Sequence, residues 1–399
     1  MISCDSGRCT VFGIWYTMRP SRTPQQSRPE RRRRRARAET RSEDPLIGRI
    51  SRMRIPQLLV SSVDGRRLPK VAACLAALTL ASACGSGVGT DAQPQNGVGC
   101  PEGFPQRPIE MIVAYAAGGG TDVGARLLAP YLEEELGATV NVVNRPGGGG
   151  WVGWNELLAA EPDGHTIGFL NTPNLMSGYL NPELGIERDI TDFTLIGNVV
   201  TDYGAIAIRP DDERFSDIRE LITYAQNNRV TATSTGVGSD DQLASLGLNS
   251  QYGTKFEGIQ SEGAADNVTS VLGGNIDVLF ANVGEVTSLH KDGQLKAIAV
   301  MAPPEERAEF LPDVPSLAEA GYPGVESWSA RGLGGPGGMP ADVHQCLVDA
   351  SARAIQNEEF IAELAKQGLL VDYKDPTAYQ ESLAAEEQRV RELGDEYVW

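Results

Sequence analysis

The chain has 399 residues, of which 41% are hydrophobic and 22% charged, so it is long enough to form two or more soluble globular domains. Its net charge of −18 is unevenly distributed, because residues 1–83 carry 17 basic and 6 acidic residues whereas the rest of the chain carries 18 and 47. The acidic body repels nucleic acid and anionic lipid, so we expect no nucleic-acid partner. The arginine run Arg31–Arg35 lies in a Pro/Ser/Arg-rich region without apolar periodicity, which indicates disorder.

The N-terminal region has the pattern of an export signal. Basic residues within Arg66–Lys70 precede an uncharged apolar run that has the length of a signal peptide and is too short to span a bilayer. The residues that follow, Ala81–Cys84, resemble the bacterial lipoprotein signal, in which the lipidated cysteine becomes the new N-terminus. We therefore predict lipidation at Cys84 and attachment to the outer face of the cytoplasmic membrane. An ordinary signal peptide cut nearby is the alternative.

This signal sets the boundaries of the segments before the folded body. Residues 1–83 would comprise a disordered N-terminus and the signal peptide, and residues 84–103 a Gly-rich polar tether. Met53 is a more ordinary start for a signal peptide, so whether residues 1–52 are translated stays open.

The cysteines predict one disulfide. Four of the six lie at or before the predicted cleavage point, at positions 4, 9, 74 and 84. The other two, Cys100 and Cys346, stand at opposite ends of the folded body in an oxidising compartment. We predict a bond between them. Two unconnected thiols are the alternative, because two cysteines alone fix no geometry.

The stretch Ile109–Gly124 combines a strand, a glycine turn and a helix start. A short apolar run ends at Tyr115, Gly118–Gly120 follow, and Thr121 and Asp122 open a helical pattern. Such a turn leaves backbone N–H groups unpaired and aimed at one point, which attracts phosphate or carboxylate. The alternative is an ordinary strand-to-helix turn without a ligand.

Strand-like and helix-like segments alternate along the body. The predicted strands are Ile109–Tyr115, Thr139–Val143, Thr166–Leu170, Tyr203–Ile208, Arg229–Thr233, Phe256–Ile259, Ile276–Phe280, Leu295–Met301 and Leu369–Val371. The predicted helices are Thr121–Leu136, Trp151–Ala160, Ile218–Gln226, Gln242–Tyr252, Ala264–Leu272, Val286–His290, Val343–Gln356, Glu359–Lys366 and Pro376–Leu393. This β-α-β order implies an α/β fold of parallel sheets with helices on both faces.

The lengths of these elements predict two lobes of ordinary domain size. Lobe 1 would comprise residues 104–200 and 328–399, and lobe 2 residues 201–327. We predict a hinge at Asn198–Tyr203 and a return crossing at Ser327–Gly334, which leads into a flexible glycine-rich segment. An anion site would then lie between the lobes, outside the carboxyl ends of their strands.

Several segments together resemble one family of binding proteins. In chain order they are F-P-Q-R-P-I-E-M-I-V-A-Y-A-A-G-G-G-T-D-V-G, V-N-V-V-N-R-P-G-G-G-G, S-T-G-V-G-S-D-D-Q-L, L-G-G-N-I-D-V-L-F-A-N and L-P-D-V-P-S-L-A-E-A-G-Y. In these motifs the chain is similar to the substrate-binding proteins of tripartite tricarboxylate transporters, the TctC or Bug type. The resemblance implies a type II-like periplasmic binding protein, a monomer with mainly parallel sheets in both lobes. It also implies a small organic carboxylate as ligand and integral membrane transporter subunits as partners.

The resemblance places the ligand on backbone amides, short polar side chains and ordered waters of both lobes. In lobe 2, Ser234–Ser239 follows a strand and repeats the arrangement of the first glycine loop. Because the body is acidic, we expect local dipoles to bind the anion, with Asp122 organising its loop and Asn144 bracing it. The candidate ligand-binding residues are Tyr115, Ala117, Gly118, Gly119, Gly120, Thr121, Asp122, Asn171, Thr172, Thr235, Gly236, Ser239, Ser261 and Asn282.

Two departures from the family pattern bear on the ligand. Gln260–Gly263 stands where relatives commonly have a Pro-Tyr-Lys-Gly-like segment, and Gln242 stands where a histidine is frequent. Both flank the predicted cleft in lobe 2, so we expect the distal end of the ligand to be neutral or donor-bearing. These changes argue against a tricarboxylate. Trp151, Trp154 and Trp328 are either core residues or walls of the cleft.

The sequence lacks the patterns of common catalytic sites. The histidines, His165, His290 and His344, are widely spaced and form no H-x-x-x-H or H-E-x-x-H motif, so we predict no metal. The nucleophile elbow, the P-loop and a complete dinucleotide fingerprint are absent, so we predict no catalytic residue and no cofactor. We interpret the pair Asp240 and Asp241 as a solvated helix start. A secreted hydrolase is disfavoured, whereas a sensory receptor that docks on a membrane kinase is the alternative to transport.

Overall fold

The computed structural model describes residues 3–5, 8–10, 99–303 and 309–397. The chain divides into two compact units, Met1–Ser86 and Gly87–Trp399. In the first unit, β1 (Ser3–Asp5) and β2 (Arg8–Thr10) form an antiparallel pair. The predicted signal peptide, its cysteine at position 84, the arginine run and most of the tether lie outside the described residues. Within the described part, no helix has both the length and the apolar character required to cross a bilayer.

The second unit contains the alternating strands and helices. Its strands are β3 (Ile109–Val113), β4 (Val140–Asn144), β5 (Thr166–Asn171), β6 (Phe193–Ile208), β7 (Val230–Ser234), β8 (Phe256–Gln260), β9 (Leu279–Asn282), β10 (Lys296–Val300), β11 (Trp328–Pro336) and β12 (Val371–Lys374). Its helices are α1 (Gly120–Leu136), α2 (Trp151–Ala159), α3 (Asn174–Leu180), α4 (Ile218–Asn227), α5 (Asp240–Tyr252), α6 (Ala264–Leu272), α7 (Val283–Lys291), α8 (Ala341–Ile355), α9 (Glu358–Lys366) and α10 (Pro376–Tyr397).

Local sequence signals account for the ends of several helices. The side chain of Asp217 accepts hydrogen bonds from two backbone N–H groups at the start of α4, and Asn357 does the same for α9. Helices α1 and α5 each end at a glycine with φ of +67°, Gly137 and Gly253, a conformation that other residues adopt at a cost.

The strands form one mixed sheet and a separate pair. Strands β10, β6, β11, β5, β3 and β4 lie side by side in that order, and β9 and β12 also pair with β6. The predicted parallel pairing occurs between β3 and its neighbours β4 and β5, and between β7 and β8. The neighbours of β6 run antiparallel to it, as does β11 to β5. The large sheet is therefore mixed, with more antiparallel pairs than the sequence predicted, whereas the separate pair is parallel.

Separate hydrophobic cores define two lobes. The core of lobe 1 packs β3, β4 and β5 against α1, α2 and α8. Two further clusters in lobe 2 involve β7–β10 and α4–α7, together with the second half of β6. Strands β6 and β11 both pass from one lobe to the other as paired neighbours, Tyr203 lying opposite Trp328. The segment predicted as a hinge, Asn198–Tyr203, lies inside β6.

The prediction of a flexible glycine-rich segment after the return crossing is wrong in its first part. Gly332–Pro336 belong to β11 and are buried. A Cβ atom on Gly332 would lie 2.3 Å from Cζ of Tyr379, and one on Gly334 would lie 2.7 Å from Cδ1 of Leu170. These glycines therefore provide room for neighbouring side chains within the sheet, and flexibility is not their role.

Strand β6 and helix α3 also differ from the predicted elements. Strand β6 begins ten residues earlier than predicted, at Phe193, and α3 was not predicted. Helix α3 is only seven residues long and includes Gly178, where a Cβ atom would lie 1.8 Å from Nε1 of Trp151. Such a short segment has too few residues for a helical period to be recognised.

The predicted disulfide is present. Cys100 and Cys346 are bonded, with their Cα atoms 4.7 Å apart, within the usual range for a disulfide. Cys346 is a buried residue of α8 in the core of lobe 1. The bond therefore fastens the beginning of the folded body to lobe 1.

Candidate functional site

The first glycine loop, which contains Gly118–Gly120, connects β3 to α1 and forms one wall of the cleft. The Gly118 N–H donates to Oδ2 of Asp122 at 2.9 Å, within the loop itself. The Gly120 N–H donates at 3.2 Å to Oε1 of Glu285, which belongs to lobe 2. The helix end predicted to attract an anion thus faces a carboxylate of the protein itself.

Asp122 has the contacts predicted for a residue that organises this loop. Its carboxylate accepts hydrogen bonds from Nε of Arg126 at 3.0 Å and from Nδ2 of Asn144 at 2.9 Å. The same Asn144 amide donates to the carbonyl oxygen of Tyr115 at 3.0 Å, which braces the loop. Burial raises the pKa of Asp122, but the hydrogen bonds from Arg126, Gly118 and Asn144 outweigh burial and lower it.

The second loop, between β7 and α5, brings acidic side chains into the interior. Ser239 caps α5, with its Oγ accepting from the Gln242 N–H at 3.2 Å. Gln242 in turn accepts from the Gly238 N–H at 2.6 Å. Asp240 and Asp241 follow in the first turn and are only 5% and 3% exposed, so the interpretation of this pair as a solvated helix start is wrong. The lobe around them covers both carboxyl groups.

A buried arginine that the sequence did not predict lies at the base of the cleft. Arg331, on β11, is 3% exposed, and its Nη2 donates to Oδ1 of Asn282 at 2.9 Å. The same nitrogen lies 3.1 Å from Oδ2 of Asp202 and 3.6 Å from Oε1 of Glu285. Nη1 has no hydrogen-bond partner among the described residues, and a Cβ atom on Gly120 would come within 2.4 Å of it. The guanidinium therefore needs glycine in the first loop.

This arginine corrects the expectation that local dipoles alone would attract an anion to the acidic body. The one sequence signal for it was a lone basic residue in an otherwise apolar, glycine-rich segment, Ser329–Pro336. Its position becomes significant only because β11 is inserted between β5 and β6.

A cavity of about 30 Å³ lies between the lobes and is lined by both glycine loops and this arginine. The predicted ligand-binding residues that line it are Tyr115, Gly119, Gly120, Thr121, Asp122, Asn171, Thr235 and Asn282. Lining residues that the sequence did not predict are Asn174, Asp240, Ala264, Glu285, Ser329 and Arg331. The sequence analysis therefore located both loops and missed three charged lining residues, Asp240, Glu285 and Arg331.

The remaining predicted residues lie elsewhere. Gly236 and Ser261 line an outer cavity that shares Tyr115 and Thr235 with the first one. The others are found at three different places: Gly118 beside α6, Thr172 in a cavity near Trp328, and Ser239 beneath the second loop as the α5 cap. Ala117 is exposed.

The three tryptophans that the sequence analysis could not assign lie at different places. Trp154 is a core residue whose Nε1 donates to the carbonyl oxygen of Phe169 at 2.9 Å. Trp151 belongs to the same core and also borders the outer cavity. Trp328 lies outside the cleft with the guanidinium of Arg389 stacked 3.7 Å from its ring.

Direct contacts between the lobes indicate a closed arrangement. Oγ of Ser177, in lobe 1, donates to the carbonyl oxygen of Gly238 at 2.7 Å. Nδ2 of Asn174 donates to the carbonyl oxygen of Thr235 at 3.3 Å. A Cβ atom on Gly238 would lie 2.2 Å from Cβ of Ser177, so the loops meet closely.

Burial changes the acidity of the lobe 2 carboxyl groups. It raises the pKa of Asp202 to about 7, although Arg331 opposes the shift. Burial likewise raises the pKa of Asp240 to about 6, against the hydrogen bond from Asn282 and with the support of the Glu285 charge. The pKa of Asp241 lies well above its usual value because of burial and the adjacent Asp240. Acid groups near the cavity therefore bind protons close to neutral pH.

These shifts predict that the ligand-free protein is more stable in mild acid. Above about pH 4 the unfolded chain has released these protons, whereas the folded chain keeps them until the pH reaches about 6 to 7. Stability therefore falls as the pH rises through this window. We expect the free energy of unfolding in urea to be on the order of 2 kcal/mol greater at pH 5 than at pH 7.5, and the difference to shrink in Asp240→Asn. Equal pH dependence in both proteins would contradict this origin.

Known proteins are similar to this chain in sequence and in fold. A family model described as "Tripartite tricarboxylate transporter family receptor" matches residues 124–396. The "UPF0065 protein in tcbD-tcbE intergenic region" of Pseudomonas sp. (strain P51) is 28% identical over 300 residues, covering 74% of this chain and 88% of that protein. Protein BugT of Bordetella pertussis is 27% identical over 297 residues, covering 73% and 90%.

Solved structures agree with this relationship. The periplasmic binding protein BugD is 30% identical, with a TM-score of 0.69, and the match covers 73% of this chain and 98% of BugD. MatC from Rhodopseudomonas palustris, solved with bound malate, is 26% identical, with a TM-score of 0.67 and coverage of 73% and 99%. These relatives are solute-binding receptors and not a class of enzymes. The two-lobed α/β chain therefore belongs to the tripartite tricarboxylate transporter receptor family, as a periplasmic binding protein of the TctC or Bug type.

Proposed function

We propose that this protein is an exported receptor that captures a small organic carboxylate and delivers it to a tripartite tricarboxylate-type membrane transporter. The observation that carries the proposal is the buried guanidinium of Arg331, which lines the cavity and whose Nη1 has no hydrogen-bond partner in the described part of the chain. A buried cation without a partner on one side is a suitable site for a carboxylate, which it binds through charge-assisted hydrogen bonds. The bound malate of MatC, at 26% identity, supports the same ligand class.

Neutral polar groups around the arginine would hold the rest of the ligand. Asn171 and Thr121 line the cavity from lobe 1, and their side chains are hydrogen-bonded to each other at 2.7 Å. Oδ1 of Asn171 has no hydrogen-bond partner among the residues that the structure describes. Thr235 and Ser329 contribute hydroxyl groups from the second loop and from β11. The positive end of α1 would favour negative charge at the same point.

A thermal-shift screen tests the ligand class. We expect the melting temperature to rise with one or more acids from a set of mono-, di- and tricarboxylates, aromatic acids and amino acids. A ligand present at 100 times its Kd adds about 2.7 kcal/mol to the free energy of unfolding, which is readily measured. A shift with sugars or metal cations and none with any acid would contradict the proposal.

We also propose that the receptor is anchored by a lipid on Cys84. The apolar run and the Ala81–Cys84 motif support this attachment, with the Gly-rich tether giving the folded body freedom of movement. We expect Cys84→Ser to release the protein from the membrane fraction when expressed in its bacterial host, measured by fractionation and immunoblotting. Cys74→Ser, ten residues earlier, is the control. Release by both variants, or by neither, would count against anchoring at Cys84.

A further inference from the structure

The strand pair that joins the lobes has a cavity on each of its faces. Where β6 and β11 pass between the lobes, Ser329 lies opposite Asp202 and Trp328 lies opposite Tyr203. Ser329 and Arg331 line the cavity between the lobes, whereas Trp328 and Tyr203 line another cavity. Successive side chains of a strand point to opposite faces of a sheet, so this other cavity, the back cavity, lies behind the strand pair.

Both lobes line the back cavity. Lobe 1 contributes residues of β12 and α10, among them Asp372, Ala385 and Arg389. Lobe 2 contributes Glu326, which directly follows the core residue Val325. The volume of the back cavity is about 710 Å³, whereas the cavity between the lobes has about 30 Å³. The lobes therefore meet at the cleft and stand apart behind the strands, as expected of a closed arrangement.

Helix α10 passes behind the strands from one lobe to the other. In its first half, Tyr379 and Leu383 pack with Met176 of α3 in lobe 1. Its last turn lies beside α5 of lobe 2, where a Cβ atom on Gly247 would lie 3.8 Å from Cε2 of Tyr397. The position of this helix therefore limits how closely the two lobes can approach each other on this side.

A stacked pair joins α10 to the connecting strands. The guanidinium of Arg389 lies 3.7 Å from the ring centroid of Trp328 on β11, where the electrons of the indole attract the cation. Glu386 holds this guanidinium in place, since its carboxylate accepts from Nε at 3.1 Å and from Nη2 at 2.7 Å. The space between α10 and β11 is therefore already filled at this point.

Opening the cleft would narrow the back cavity. Because β6 and β11 lie between the two cavities, separating the lobes at the glycine loops brings α10 and β12 closer to Glu326 and Trp328. Added bulk behind the strands would then oppose opening, and removal of bulk would ease it. If the ligand binds the closed form, the apparent affinity is proportional to the fraction of free molecules that are closed.

Resting on the proposed function, we propose that side chains behind the connecting strands set the affinity of the receptor without touching its ligand. The stack of Arg389 on Trp328 opposes opening, and the space left in the back cavity sets how far the lobes separate. None of Trp328, Ala385 and Arg389 lines the cavity between the lobes. These residues act on the ligand site only by changing the balance between the open and closed forms.

Filling the back cavity tests this inference without any ligand. Ala385→Trp adds an indole to the cavity wall, and Ala384→Trp is the matched control, since Ala384 is also exposed on α10 and does not line the cavity. Small-angle scattering of the ligand-free protein should give a smaller radius of gyration for Ala385→Trp and an unchanged one for the control. Thermal unfolding verifies that both variants fold. An unchanged or larger radius for Ala385→Trp would overturn the inference.

Calorimetric titration with acetate, succinate, citrate, benzoate and glutamate then measures affinity. For each acid that binds the parent protein, we expect Ala385→Trp to bind about threefold or more tightly, because more of the free protein is closed. Loss of folded protein cannot raise an affinity, so a structural defect does not mimic this result. An affinity equal to that of the parent, or lower, would contradict the inference.

Removing the stack should have the opposite effect. We expect Arg389→Ala to weaken binding of the same acids about threefold or more and to increase the radius of gyration of the ligand-free protein. Arg391→Ala is the control, since Arg391 lies on the same helix and pairs with Glu387 at 3.0 Å. Equal effects of both variants would contradict a role for the stack. If no carboxylic acid binds the parent protein, the proposed function fails, while the scattering of the ligand-free variants still decides this inference.

Discussion

Replacing Arg331 with methionine is expected to weaken carboxylate binding on the order of 100-fold or more, and to do so without loss of the fold. The variant removes a cavity-lining guanidinium whose Nη1 has no hydrogen-bond partner within the residues that the structure describes. It also leaves Asp202 and Glu285 without the cation that lies 3.1 and 3.6 Å away, so the remaining carboxyl groups repel an anionic ligand. Calorimetric titration with the acid that gives the largest thermal shift measures this loss.

The same substitution costs stability, which has to be separated from the loss of binding. Removing one partner of a buried charge cluster typically costs about 3–5 kcal/mol, partly recovered here as the acids bind protons. Arg209→Met is the matched control, since Arg209 donates to the carbonyl oxygens of Val271 and Ile276, both at 3.1 Å, away from the cavity. It should lower the free energy of unfolding in urea and leave the affinity intact. Normal binding by Arg331→Met would refute the central role of the guanidinium.

Gly238→Ala is expected to hold the cleft open and reduce affinity about tenfold or more, because the new methyl group would collide with Ser177 across the cleft. Its Cβ atom would lie 2.2 Å from Cβ and 2.5 Å from Oγ of Ser177. Small-angle scattering with and without ligand measures closure. The radius of gyration should decrease in the wild-type protein and change little in the variant.

Gly253→Ala controls for backbone strain. Gly253 has φ of +67°, close to the +73° of Gly238, and, apart from its chain neighbours, no described residue has an atom within 4 Å of the position of its Cβ. Both substitutions should therefore destabilise the fold by about 1 kcal/mol through the left-handed conformation. Gly238→Ala alone should affect binding. A similar loss of affinity in both variants would assign the effect to strain rather than to closure.

Local patterns predicted the fold well. Helix α6 lies at the predicted residues, Ala264–Leu272, and most strands begin or end within two residues of the predicted limits. The apolar runs and turn residues that predicted them act over a few residues, and both glycine loops follow strands for the same reason. The disulfide could also be predicted, because Cys100 and Cys346 are the two cysteines that follow the predicted lipidation site.

The charged base of the cleft could not be predicted in this way. Arg331 meets Asp202 because antiparallel β11 lies beside β6. It meets Glu285 because α7 begins directly after β9, which also pairs with β6, so both contacts join residues far apart in the chain. The burial of Asp240 and Asp241 has the same origin, since a helix start shows its environment only after the lobe has folded around it. Sequence patterns report periodicity and turn chemistry, and this site depends on tertiary neighbours.

The passage of β6 through both lobes limits how the receptor can move. Because β6 and β11 are paired neighbours where they pass between the lobes, the angle between the lobes can change only if this two-stranded ladder is twisted. We therefore expect rotation of the lobes to centre on these two strands, so that side chains on them lie near the rotation axis. Arg331 lies on this ladder, so we expect its guanidinium to move less than the loop tips at Gly236 and Gly149 when the lobes open. A ligand whose carboxylate is bound near this axis would be enclosed when the loop tips close over it.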